Sequence, residues 1–385
     1  MKAYCIGSII WPLLIGLLMT GLVTSCTSGR TGTYSQPTLK EAFKGDFLIG
    51  VAVNQAQFTG KDARGAALVE AQFNSIIPEN VLKWESVHPR PDKYEFTAPD
   101  RYVEFGEKNG MFIIGHTLVW HKQTPQWVFE DDKGNPVDRE TLLQRMREHI
   151  HTVVGRYKGR IKAWDVVNEA INEDGSWRET QWYKIIGEDF VAKAFQYAHE
   201  ADPDADLNYN EFALETEPKR NGVIALIKKL KAQGVPITGI GSQMHARMDW
   251  PTVAETDAAF DALAKLGLKV MVTELDMDVL PSAGQYKNTD TAIGRLSPDL
   301  QARLNPYTNG LPDSVQQQLA KRYADLFGVF LKHRREISRV TFWCVTDTDS
   351  WLNYWPVKGR TAYPLLFDGN GQPKPAFDAV IRTVR

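Results

Sequence analysis

The chain alternates between short apolar runs and longer stretches whose apolar residues recur every three to four positions. The runs at 47–53, 75–77, 111–117, 161–167, 207–209, 239–244, 270–273 and 340–344 suit strands, and 161–167 suits one that is apolar on both faces. Helical periodicity is clearest at 139–157, 191–200, 219–231, 253–266 and 315–335, with a last helix at 375–384. Eight alternations of strand and helix over roughly 340 residues predict an α/β fold, a single (β/α)8 TIM barrel. A doubly wound open sheet is the alternative, but no glycine-rich phosphate loop follows any strand. There is no internal repeat, so 39–385 reads as one domain. The polar connection 278–313, longer than a barrel needs, is expected to wall part of a cleft.

The N-terminus has a different texture. Lys2, an apolar stretch over 9–22 and then Val23-Thr24-Ser25-Cys26 predict a signal peptide of the lipoprotein type at 1–25, since the last four residues resemble a bacterial lipobox. Cys26 would then be the lipidated first residue, and the Ser-, Thr- and Gly-rich stretch within 26–38 a flexible tether. A retained membrane anchor is the other reading, although Pro12 and Gly16 interrupt the run and it is short for a span. The protein is therefore expected to be exported and lipid-anchored at a bacterial cell-envelope membrane, or otherwise secreted. Of three cysteines, Cys5 leaves with the signal and Cys26 carries lipid, so Cys344 is alone and no disulfide framework is possible. With 45 basic and 47 acidic residues, net charge −2 and no long run of one sign, neither nucleic acid nor an anionic membrane surface is expected as a partner. A monomer is expected.

In a (β/α)8 barrel the chemistry sits at the C-terminal ends of the strands. Two apolar runs stop there on a glutamate, at Glu169 and at Glu274. Either alone is more simply a surface ion pair. Two strands that each deliver one glutamate to the same end of a barrel can face each other across a cleft, as glycoside hydrolysis requires. The other strand ends bring Glu79, Asn80 and Lys83; His116 and Trp120; Asn168; Tyr209 and Asn210; Gln243 and His245; Asp276; and Trp343, with Trp351 beyond it. Such amides, carboxylates, imidazoles and indoles hydrogen-bond hydroxyls and stack on sugar rings. Alternatively Lys83 is an exposed charge, Trp343 and Trp351 are core, and Asn168, Tyr209 and Asn210 are structural. His116, His121 and His245 could converge on a metal. No Cys or carboxylate set stands at zinc spacing, however, and two carboxylates perform the reaction unaided, so no metal and no cofactor is expected.

Three segments, His116-Thr117-Leu118-Val119-Trp120-His121, Trp164-Asp165-Val166-Val167-Asn168-Glu169-Ala170 and Thr273-Glu274-Leu275-Asp276, make the chain from about residue 39 onward resemble glycoside hydrolase family 10, the retaining endo-β-1,4-xylanases. The resemblance implies Glu169 as acid/base and Glu274 as nucleophile, with His245 and Asp276 flanking and orienting Glu274. It also implies that Glu79, Asn80, Lys83, His116, Trp120, Asn168, Gln243, Trp343 and Trp351 line the glycone subsites. Asn168 is expected to hydrogen-bond the sugar 2-hydroxyl, and His245 to keep the nucleophile ionised. Two stretches depart from the family pattern. Tyr209-Asn210-Glu211-Phe212-Ala213 replaces the usual Tyr-Asn-Asp-Tyr-Asn, and Cys344 follows Trp343 where Gly is usual. The expected substrate is xylan. The alternatives are another β-1,4-glycan or an aryl β-glycoside, or a non-catalytic surface glycan-binding lipoprotein, although that last reading would expect one of the glutamates to be lost.

Overall fold

The computed structural model describes residues 37–286 and 291–384. The expected signal peptide, Cys26 and all but the last two residues of the expected tether lie outside them. The side chains of Thr38 and Glu41 cap the helix Leu39–Ala42.

Eight parallel strands close into a barrel: β1 (Leu48–Val53), β2 (Ser75–Pro78), β3 (Phe112–Val119), β4 (Ala163–Asn168), β5 (Asp206–Glu211), β6 (Gly239–Ser242), β8 (Lys269–Asp278) and β9 (Ile337–Phe342). Each pairs in parallel with the next, β6 pairs with β8, and β9 returns to β1 in the register Ile49 opposite Val340. The predicted (β/α)8 fold is therefore present. Its helices include Arg139–Arg156, opened by the Asp138 side chain, and Val253–Ala264, opened by a Thr252–Glu255 capping box. Two further helices, Ala63–Gln72 and Thr97–Lys108, were not among the clearest stretches in the sequence. Among the described residues no helix is long and apolar enough to cross a membrane.

Two strand boundaries differ from expectation in ways that matter. The run 239–244 breaks at Met244, whose φ of 63° turns the chain, and a short ninth strand β7 (His245–Arg247) then sets His245 opposite Asp276 on β8. The run 270–273 continues to Asp278, so Glu274 lies inside a strand rather than at its end. The register of β8 against β9 shifts between Val272 and Leu275, the irregularity that re-aims side chains at this level.

The fourth strand is not apolar on both faces. Asp165 is fully buried in the barrel, where its carboxylate meets His116 Nδ1 at 3.0 Å and lies 3.8 Å from the buried Arg339 guanidinium. On the neighbouring strand Gly115 makes room for Trp164, since a Cβ there would stand 2.1 Å from the indole. Each departure from the family pattern includes a residue on left-handed backbone, Ala213 at φ 55° and Cys344 at φ 97°, a region that costs residues other than Gly or Asn. Cys344 is buried as a free thiol.

The segment after β8 is less structureless than its composition suggests. It contains the helix Pro298–Leu304, capped by Ser297, and packs on the loop that carries Trp351. Ala292 bridges to Lys358, Arg360 donates to the Pro281 carbonyl at 3.2 Å, and Asn305 accepts from the Thr361 N–H at 2.8 Å.

Candidate active site

The C-terminal mouth of the barrel gathers the two glutamates through a short chain of amides. Asn210 at the tip of β5 donates from one Nδ2 to Glu274 Oε1 at 2.7 Å and to Asn168 Oδ1 at 2.9 Å. Gln243 spans the same gap from β6, donating to Asn168 Oδ1 at 3.3 Å and to Glu169 Oε1 at 3.2 Å. Thr273 donates to Asn210 Oδ1 at 2.6 Å, which fixes which end of that amide faces the carboxylate. The glutamates are buried, 8% and 5% exposed, and are joined through Asn168, Asn210 and Gln243.

Their surroundings differ. Glu274 Oε2 lies 3.2 Å from His245 Nε2, and His245 Nδ1 lies 3.1 Å from Asp276 Oδ1. Burial works against a charged imidazole, but Asp276 and Glu274 outweigh it and push His245 up to about 10, so it is a cation at neutral pH. Asp276 is held in turn by the Trp351 indole N–H at 2.6 Å.

For Glu169, burial favours the protonated form, but the Gln243 amide and the Lys122 cation, chief among the opposing groups, hold the carboxyl below its ordinary value. His121 beside it is pushed down to about 4, chiefly by burial, and is neutral at pH 7. The two carboxyls thus sit in one site under different control, which is the usual mark of divided acid and base roles.

The remaining expected residues fall into two groups. Glu79, Asn80, Lys83, His116, Trp120, Trp343 and Trp351 reach the same mouth. Lys83 Nζ bonds Asn80 at 3.0 Å and Gln123 at 2.9 Å and lies 5.1 Å from the Trp120 ring centroid. Burial lowers the Lys83 ammonium and raises the Glu79 carboxyl, each opposed by the other's charge. Trp343 meets His116 and His245 edge-on, and Trp351 lies 4.9 Å from His245. Lys83 is buried, so it is not the exposed surface charge that was the alternative.

Tyr209 and Asn210 form the second group. Both are fully buried, and their polar atoms are taken: the Tyr209 hydroxyl accepts from Ala170 N–H at 3.0 Å and donates to Glu211 at 2.7 Å, while Asn210 is spent on Asn168, Glu274 and Thr273. Asn168 similarly uses its oxygen on Asn210 and Gln243, leaving its Nδ2, 3.3 Å from Glu169 Oε1, as the side that faces the cleft.

Several residues were missed. Gln123 shares Lys83, and Arg178 donates to the Glu169 carbonyl at 3.1 Å and the Ile171 carbonyl at 3.3 Å. Glu211 at the end of β5 and Lys219 in the first turn of the helix Glu217–Ala232 form a fully buried pair at 2.9 Å. Only the last left a trace in the sequence, as an acid at a strand end with a lysine just inside the following helix. Burial raises Glu211 to about 7 against the opposing pull of Lys219. An open cavity of about 500 Å³ is lined by His121, Arg178, Phe129 and Trp182. Among the described residues no group of three or more His, Cys, Asp or Glu side chains is arranged to hold a metal ion.

A (β/α)8 barrel with two carboxylates, sugar-sized aromatic walls and a dense amide network at the strand ends defines the class: a barrel glycoside hydrolase. The comparisons give the family. Residues 38–383 match the model of glycosyl hydrolase family 10, and the chain belongs to that family. It is 41% identical over 348 residues to endo-1,4-beta-xylanase A of Xylanibacter ruminicola, covering 90% of this chain and 94% of that one. A beta-1,4-xylanase of Dictyoglomus thermophilum is also 41% identical, covering 90% and 91%. Among solved structures, a GH10 endoxylanase from a sugarcane soil metagenome superposes with TM-score 0.85 at 47% identity over 91% of this chain and all of that one.

Proposed function

We propose that this protein is a retaining endo-β-1,4-xylanase in which Glu274 is the nucleophile and Glu169 the acid and then the base. The observation that carries the division of roles is the asymmetry of the pair. Glu274 is bonded by a cationic His245 and by Asn210, whereas among the described residues the Glu169 carboxyl is bonded only by the amides of Asn168 and Gln243. Glu274 attacks the anomeric carbon while Glu169 protonates the departing oxygen; Glu169 then takes a proton from the water that frees the sugar, and the β configuration is retained. Asn168 Nδ2 donates to the 2-hydroxyl of the reacting sugar. In the empty cleft Glu169 sits below the ordinary carboxyl value, so the proton it delivers is acquired in the complex, where seated polymer excludes water and disfavours the anion. Xylan as substrate is supported by relatives about 40% identical that carry that activity in their names. Release of reducing sugar from xylan against cellulose separates it from another β-1,4-glycan.

Export and lipid attachment at Cys26 are part of the same reading. They are supported by the apolar stretch that stops at Cys26 and by a family match that begins only at residue 38.

The roles are tested with a substrate whose phenol needs no proton. Glu169→Ala should give a burst of dinitrophenol from the β-xylobioside followed by a slow phase, and azide should relieve the stall and yield the β-glycosyl azide. Glu274→Ala should show no burst and give the α-glycosyl azide. An α-configured first product from the native enzyme, or the two variants behaving the other way round, overturns the assignment.

A further inference from the structure

The turn carrying Glu169 is held more tightly than its neighbours. Glu169 adopts φ 58°, a conformation that costs a glutamate energy and persists only where the surroundings over-determine it. Here they do. Its N–H bonds the Asn210 carbonyl at 3.0 Å and its carbonyl accepts from Arg178. The next two N–H groups are also taken, that of Ala170 by the Tyr209 hydroxyl at 3.0 Å and that of Ile171 by Glu211 Oε2 at 3.2 Å.

Glu211 is the centre of this support. It accepts from Tyr209 at 2.7 Å, from Ile171 N–H and from Phe212 N–H at 3.2 Å, and pairs with Lys219 at 2.9 Å; all four neighbours are donors, so only a carboxylate satisfies the site. Lys219 also lies 3.0 Å over the Phe212 ring. The helix that supplies Lys219 meets the loop beyond Glu169 a second time, backbone against backbone, at Gly222 and Gly175. A buried ion pair is a poor way to stabilise a fold, because an apolar pair of the same volume does as well. Its placement points elsewhere.

We propose that Glu211 and Lys219 are positioning residues for Glu169, fixing the Tyr209 hydroxyl and the Ile171 N–H so that the carboxyl is aimed at the glycosidic oxygen. The inference rests on the reading of Glu169 as acid/base. Neither residue faces the cleft, since both are 0% exposed.

The test uses the full enzyme with two changes. The double variant Glu211→Gln, Lys219→Met leaves no lone buried charge, and Tyr209→Phe removes a single oxygen. In both, turnover of xylan should fall about 10- to 100-fold with KM within about twofold, as expected when a catalytic group is slightly misplaced. With the dinitrophenyl β-xylobioside the burst should remain, its amplitude counting folded chains with a competent Glu274, while the slow phase lengthens and azide restores it. Native turnover on xylan, or an equal loss on both substrates that azide does not relieve, overturns the proposal. If the double variant does not fold, Tyr209→Phe decides alone. A Glu169→Ala control without burst or azide response would instead locate the failure in the assignment of Glu169.

Discussion

Replacing His245 by Asn should make the fold's stability less dependent on pH, and the size of the effect follows from the site. His245 stands 3.2 Å from Glu274 and 3.1 Å from Asp276 and titrates near 10 instead of 6.5. A shift of that size corresponds to about 5 kcal/mol at most, and a unit-charge pair at this distance in an effective dielectric of about 20 attracts by a similar amount. Because 22% of the ring still meets water, screening reduces the expected contribution to about 2–4 kcal/mol. The folded value lies above the unfolded one, so the contribution is complete below pH 6.5 and is lost as pH rises through 10. Asn can donate one hydrogen bond but does not titrate. Urea unfolding of the native protein and His245→Asn at pH 6, 8 and 9.5 should give a stability difference that shrinks by about 2–4 kcal/mol across the series, with groups common to both proteins cancelling. Parallel curves from pH 6 to 10 would refute the claim that His245 is held as a cation.

Three further outcomes are expected. The basic limb of kcat should lie at higher pH than that of kcat/KM, because the free enzyme holds Glu169 below its ordinary value whereas seated substrate favours the proton; coincident limbs would remove that account. Gly115→Ala should cost about 3 kcal/mol in denaturant unfolding, since its Cβ would stand 2.1 Å from the fully buried Trp164, and a cost near zero would mean the barrel can repack there. Cys26→Ser should move activity from the membrane fraction to a soluble or unprocessed form, and an unchanged partition would count against lipid attachment.

The architecture was legible because it depends on local pattern. Eight apolar runs separated by helical periodicity admit few folds, and the two runs ending on glutamate announced the chemistry before any contact was known. The strand ends could be read together because a parallel barrel delivers all its C-terminal ends to one face.

What pattern could not supply was the direction each side chain takes once the strands twist and slip. Glu274 reads as a strand end but lies within β8, because the strand runs on past a register shift to pair with β7, itself split from β6 by the left-handed Met244. Tyr209 and Asn210 stand in the same strand-end row as the other expected site residues. Only the packing of β4 against β5 shows that their polar atoms point backward, to Ala170 and Glu211 in one case and to Asn168, Glu274 and Thr273 in the other. Asp165 broke an apolar run without revealing its partners, because His116 and Arg339 come from strands 49 and 174 residues away in the chain. Residue type and spacing determined which groups reach the mouth of the barrel. The tertiary structure decided which of them face the sugar and which hold the others in place, because hydrogen-bond partners are chosen across strands and not along them.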